Sequence, residues 1–102
     1  MESEYIYHVT TQSEWEQAKL KGEYQPTQFE QEGFIHCSVE KQVAGVLDRF
    51  YKGQTNLVKL KIEKAKVQRP LLFELATDLD ELFPHIYGSL NLDSVVEVIN
   101  IG

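Results

Sequence analysis

The sequence holds a single cysteine, Cys37. No disulfide can close within the chain, which excludes the cross-linked framework on which small secreted domains depend. No apolar run approaches the roughly 18 residues that a membrane-spanning helix needs. Met1, Glu2, Ser3 and Glu4 lack the basic and apolar regions of a signal peptide. Together these absences predict a soluble, cytoplasmic protein. Basic residues are scarce, ten Lys and Arg against 16 Asp and Glu, for a formal net charge of −6. Such a surface repels nucleic-acid phosphates and anionic lipids, so neither nonspecific nucleic-acid binding nor membrane association is expected. A Gly-rich phosphate loop, a GxGxxG turn, a CxxC pair and a GxSxG serine elbow are all missing. NTPase, dinucleotide-fold and zinc-ribbon readings fall with them.

What is present is ordinary globular material. The 102 residues are 42% hydrophobic and 25% charged, which fits one domain over residues 1–102. A chain of this size buries roughly 65% of its unfolded surface in one modest core.

Glu4 to Val9 reads as a first strand. Thr11, three residues before Glu14, reads as a capping box that opens a helix from Gln12 to Lys21. Trp15, Ala18 and the stem of Lys19 form its buried side, and Gly22 ends it. Residues 23–32 read as a loop. Gly33 to Cys37 reads as a short strand, and Ser38 as the N-cap of a second helix. Val39, Val43, Val46, Leu47 and Phe50 form that helix's apolar face, with Gly53 at its end. Asn56 to Glu63 alternates as a half-buried strand with Val58, Leu60 and Ile62 inward. Pro70 opens a further apolar run, Leu71 to Leu75. Asp78, Asp80 and Glu81 mark an acidic turn. Residues 83–88 (FPHIYG) read as a shaped loop, and Ser94 to Ile101 as the closing strand. The order strand, helix, strand, helix, then strands predicts an α+β fold with a mixed or antiparallel sheet.

Chemistry-bearing residues fall at a few points. Strand alternation puts Phe34, His36 and Ser38 on one face and turns Cys37 to the other. An aromatic ring, an imidazole and a hydroxyl on one face suit a polar ring or sugar, while core packing for His36 and capping for Ser38 are the plainer alternatives. If Ser38 caps, the helix amides beside His36 favour an anionic ligand. Cys37 reads as a small buried hydrophobe rather than a nucleophile. Glu74, between Phe73 and Leu75, is the most suggestive acid, with plain solvent-face alternation as the alternative. His85 and Tyr87 share a face if their stretch is extended. His8, His36 and His85 lack metal-ligand spacing and the acidic turn lacks the calcium-loop pattern, so no metal is expected.

Thr11 to Ala18 with Trp15, Gly22 and Tyr24, then GFIHCS at 33–38, Gln42, Asn56-Leu57, Glu74 and FPHIYG at 83–88 resemble the bacterial domain-of-unknown-function family nine-five-two. The resemblance spans nearly the whole chain. It implies a fold similar to the ADP-ribosyltransferase superfamily, near its RNA 2′-phosphotransferase branch. A split sheet would then grip a nucleotide such as NAD, as substrate. By position the resemblance implies His8 as the first-strand ligand contact, His36 and Ser38 as the second motif, Glu74 as the later acid, and His85 and Tyr87 as groups orienting the sugar. Three functions follow: ADP-ribosyl transfer or hydrolysis, nucleotide or sugar binding without catalysis, and protein interaction. Nothing in the sequence fixes the oligomeric state.

Overall fold

A computed structural model describes residues 4–27, 29–76 and 80–102. The first strand, β1 (Tyr5–Thr11), is followed directly by helix α1 (Gln12–Lys21). The Thr11 hydroxyl accepts the Glu14 amide at 3.1 Å, satisfying one of the helix's free donors. The expected box is only half made, because the Glu14 carboxylate turns away from Thr11. It accepts from the Thr10 hydroxyl at 2.9 Å and from the Thr27 amide at 3.2 Å. Gly22 ends the helix at φ 89°, its amide donating to Ala18 O, in a region open to glycine without strain. Trp15 and Ala18 are buried as expected, while Lys19 lies in solvent and pairs with Glu16 at 3.0 Å. Thr11→Ala is expected to lower stability by about 1 kcal/mol, with Thr11→Ser near neutral. Thermal melts of the two variants check this.

The segment read as a loop over 23–32 carries structure of its own. Strand β2 (Glu23–Tyr24) and a four-residue helix, α2 (Phe29–Glu32), lie within it. Strand β3 is only Ile35–His36, and Ser38 does not cap a helix. Its backbone exchanges two hydrogen bonds with Tyr7, both at 2.7 Å. A 3-10 turn, Glu40–Gln42, follows before α3 (Val43–Phe50). The Gln42 carboxamide oxygen accepts the Val39 amide at 3.0 Å, and its nitrogen donates to Leu82 O at 2.9 Å and to Glu81. Gln42 thus clamps the start of α3 to a neighbouring strand. Of the expected apolar face, Val43 and Val46 are buried and Leu47 half-buried. Val39 lies before the helix, and Phe50 is 57% exposed.

The remaining strands are β4 (Leu57–Glu63), β5 (Leu71–Ala76), β6 (Glu81–Ile86), β7 (Leu90–Asn91) and β8 (Val95–Asn100). Phe83 to Ile86 are therefore strand rather than loop. Glu81 begins the same strand, and Asp80 precedes it at φ 53°. Asp78 lies outside the described residues.

All strand pairs among the described residues are antiparallel. They form two three-stranded sheets, β1-β4-β8 and β3-β6-β5, and a ribbon β2-β7. This is a single α+β domain with a divided antiparallel sheet and few helices. Five consecutive residues of β1, Ile6 to Thr10, are buried, so both faces of the strand are covered. One face joins Ile6 to Leu60, Ile62, Trp15, Ile35 and Cys37, and the other joins Tyr7 and Val9 to Val43 and Leu57. Burying each large apolar side chain contributes about 1.5–3 kcal/mol. The outward lysines of β4 still find work: Lys59 and Lys61 reach over the rings of Tyr7 and Tyr5, at 5.2 and 4.4 Å.

The Tyr7–Ser38 bridge joins the two sheets at one point, and there they part. Continued pairing would set Val9 opposite His36. Instead both carbonyls accept from side chains: Tyr51 donates to Val9 O at 3.1 Å, and His8 to His36 O at 2.6 Å. The split in the sheet opens a cleft along these residues.

Candidate ligand site at the sheet split

The cleft is a cavity of about 500 Å³, in the size range of small-molecule sites. From β1 come His8, Val9, Thr10 and Thr11, and from the β3 segment Phe34, His36 and Ser38. The alternation expected for the latter three is what places them on one wall. Phe50, Tyr51, Tyr24, Glu14 and Glu32 close the remaining sides. Among the described lining residues there is no Lys or Arg.

His8 is held at both nitrogens. A carbonyl only accepts, so Nδ1–H donates to His36 O at 2.6 Å; Nε2 then accepts from the Tyr24 hydroxyl at 2.7 Å. Burial lowers the pKa of this imidazole, outweighing the carbonyl contact that raises it. His8 is thus neutral and has no donor left over for a ligand; it ties β1 to the backbone of β3 and to β2.

His36 occupies the meeting point. Its Nδ1 lies 3.3 Å from His85 Nε2. Its Nε2 is shut off from solvent and has no hydrogen-bond partner. Burial, reinforced by His85, His8 and Arg49, pushes its pKa down to about 4, so the ring is neutral at pH 7. Phe83 flanks it at 5.1 Å, and Phe50 stands edge-on at 6.5 Å.

Behind His36 runs a second layer. Glu74 on β5 accepts at one carboxylate oxygen, Oε1, from His85 Nδ1 at 2.8 Å and from the Tyr87 hydroxyl. These two donors hold the Glu74 carboxyl below its usual pKa, and the carboxylate in turn raises that of Tyr87. Phe34 stacks on His85 at 4.0 Å and tilts against Tyr87 at 5.6 Å. His85 and Tyr87 do share a face, since one carboxylate engages both.

The structure thus links His8, His36, Glu74, His85 and Tyr87 through one chain of contacts. Only His8, His36 and Ser38 of the expected site residues line the cavity. Glu74, His85 and Tyr87 stand behind its wall and reach it through His36. The helix-terminus argument for an anionic ligand lapses with the Ser38 cap. Cys37 is buried, burial raises its thiol pKa, and its sulfur faces Ile35 O at 3.9 Å. Among the described residues no group of three or more His, Cys, Asp or Glu side chains is arranged to hold a metal ion. Nor is any helix there long and apolar enough to cross a membrane. Sequence reasoning gave no site role to Tyr24, Glu14, Tyr51 and Phe50. Glu14 read fully as a cap and Phe50 as core, which left no signal for the cleft.

A family model described as protein of unknown function (DUF952) matches residues 9–98. Among solved structures, the crystal structure of protein CC0527 from Caulobacter crescentus is similar at 28% identity and a TM-score of 0.88, over 96% of this chain and 86% of that one. Its solution NMR structure gives a TM-score of 0.83 over 97% and 85%. No curated protein matches the sequence.

Proposed function

This chain belongs to DUF952, a family of proteins of unknown function, and we propose that its cavity binds the ribosyl end of a nucleotide such as NAD or ADP-ribose. The observation that carries this is the buried, unpartnered Nε2 of His36, a residue that lines the cavity. A buried imidazole nitrogen without a partner costs about 1–3 kcal/mol, which a ligand hydrogen bond returns. The lining agrees in kind. Aromatic rings and hydroxyls suit a sugar and a flat base, and the lack of Lys and Arg on the described wall leaves the phosphates at the mouth. The expected resemblance to ADP-ribosyltransferases adds a reaction: cleavage of the bond between ribose C1′ and nicotinamide, with water or an acceptor hydroxyl taking the ADP-ribosyl group.

A binding module without turnover is the second reading. It is favoured by Glu74, whose carboxylate is engaged by His85 and Tyr87 behind the wall rather than open to the cavity.

Ligand-observed NMR with NAD, ADP-ribose and a 2′-phosphorylated nucleotide tests the site. Saturation transfer is expected for wild type, with affinity about tenfold or more weaker in a folded His36→Ala variant. No signal from any of the three at millimolar concentration would sink the nucleotide reading. Nicotinamide release during incubation with NAD separates the enzyme from the binding module.

A further inference from the structure

Glu74, His85 and His36 come from β5, β6 and β3, and with a neutral His85 their contacts take one direction. An ionised carboxylate accepts and never donates. The Tyr87 hydroxyl and His85 Nδ1–H must therefore both donate to Glu74. A neutral His85 with its proton on Nδ1 has a lone pair on Nε2. The 3.3 Å contact to His36 is then satisfied only if His36 carries its proton on Nδ1. That leaves His36 Nε2 bare, and it is the atom without a partner.

We propose that Glu74 and His85 act as positioning residues that fix His36 as the Nδ1–H tautomer, so that Nε2 faces the ligand as an acceptor selecting an O–H or N–H group. The inference deepens the reading of the cavity as a ligand site, and its ligand half rests on that reading. The tautomer belongs to the free protein and stands apart from it. Two features keep the relay in place. Phe34 stacked on His85 prevents the ring from turning, and the antiparallel register sets Leu72 opposite His85, bringing Glu74 one side-chain row away on the same face. Phe50, exposed over more than half its surface, stands edge-on to His36 at 6.5 Å.

The chemistry distinguishes this site from one built on an imidazolium. A bare Nε2 accepts a ribose hydroxyl or an amide N–H, and draws the proton from a hydroxyl as it attacks; it gives nothing to a phosphate oxygen. Second-layer hydrogen bonds of this kind set which nitrogen of a histidine is active.

Two-bond proton–nitrogen correlation spectra of histidine-labelled protein at pH 7, without ligand, read the tautomer directly. His36, identified by the loss of its signals in His36→Gln, is expected to show a protonated Nδ1 and a bare Nε2. Glu74→Gln offers donor and acceptor alike, so His36 is expected to shift towards Nε2–H. In the same variant, affinity for any nucleotide that binds wild type falls about tenfold. His36 found as Nε2–H in wild type, or a tautomer unmoved by Glu74→Gln in a folded protein, overturns the relay. If the tautomer behaves as expected and no nucleotide binds, the relay stands and the nucleotide reading alone fails.

Discussion

His8→Leu is expected to lower stability by about 2–5 kcal/mol, although leucine fills much of the same space. The reason is the two buried contacts of the imidazole. Its loss removes the 2.6 Å donor to His36 O and the 2.7 Å acceptor of the Tyr24 hydroxyl, and each deprived buried group costs about 1–3 kcal/mol. A 102-residue domain has roughly 5–15 kcal/mol in total, so the melting temperature should drop by about 10 °C or more. Adding Tyr24→Phe removes one of the two stranded groups, and the double variant should be less destabilised than the two single costs added together. Denaturant titrations of the four proteins in the cycle read the coupling. Strict additivity would show that His8 and Tyr24 act independently. The result also bears on the cavity: a residue whose two nitrogens are both committed inside the fold offers a ligand no free ring nitrogen.

The elements legible in the sequence are those that carry their own periodic evidence. β4 shows its inward Val58, Leu60 and Ile62 by alternation alone, and all three are buried, while Leu57 on the opposite row is buried against the second core. α1 is bounded by Thr11 and Gly22, each with a local physical reason. The elements that escaped depend on partners far along the chain. β2 exists because Tyr24 pairs with Leu90, and nothing within residues 23–32 reports that. Ser38 has the composition of a cap, but pairing with Tyr7 claims its backbone first, a tertiary contact overriding a local preference. Pro84 and Gly88, bracketing His85 and Tyr87, argued for a shaped loop rather than a regular strand. β6 accommodates Pro84 because β3 stops at His36, and the next link, Cys37 N–H to Pro84 O, uses the proline's carbonyl.

The candidate site divides in the same way. Strand period put Phe34, His36 and Ser38 on one face, and they share the cavity wall. Glu74 and His85 were each singled out on their own segments, yet their order in a relay follows from the β5–β6 register, which no single-segment pattern encodes. The cavity itself comes from a missing continuation of pairing between β1 and β3. A sequence records which strands can form; where two of them diverge depends on what packs between them, here the His8 ring and the Tyr51 hydroxyl.

Acid should unfold this protein earlier than its carboxylates alone require. His36 titrates near 6.5 when unfolded and is pushed down to about 4 in the fold; His8 is lowered as well. Both are neutral in the native state, so between these values the unfolded chain binds more protons, and stability rises with pH. The stability associated with neutral imidazoles is complete above about pH 6.5. It is lost as pH falls through that value towards 4. Each histidine that titrates only on unfolding gives a slope of about 1.4 kcal/mol per pH unit. For half-buried His36, solvent screening leaves a total of about 2 kcal/mol. His36 is faced by His85 from β6, His8 from β1 and Arg49 from α3, and His85 is in turn engaged by Glu74 from β5. Of these Glu74 has its own acid dependence, but its lowered pKa places that loss below 4.5, beneath the histidine window. Urea titrations at half-unit steps from pH 7 to 4.5 should therefore show stability falling throughout, with a shallower slope in His36→Gln and again in His8→Leu. A slope unchanged in both variants would assign the acid limb to other groups, and would mean that neither imidazole is held neutral by the fold. In the folded protein His36 stays neutral down to about pH 4, so within this window the proposed acceptor is lost only with the fold itself.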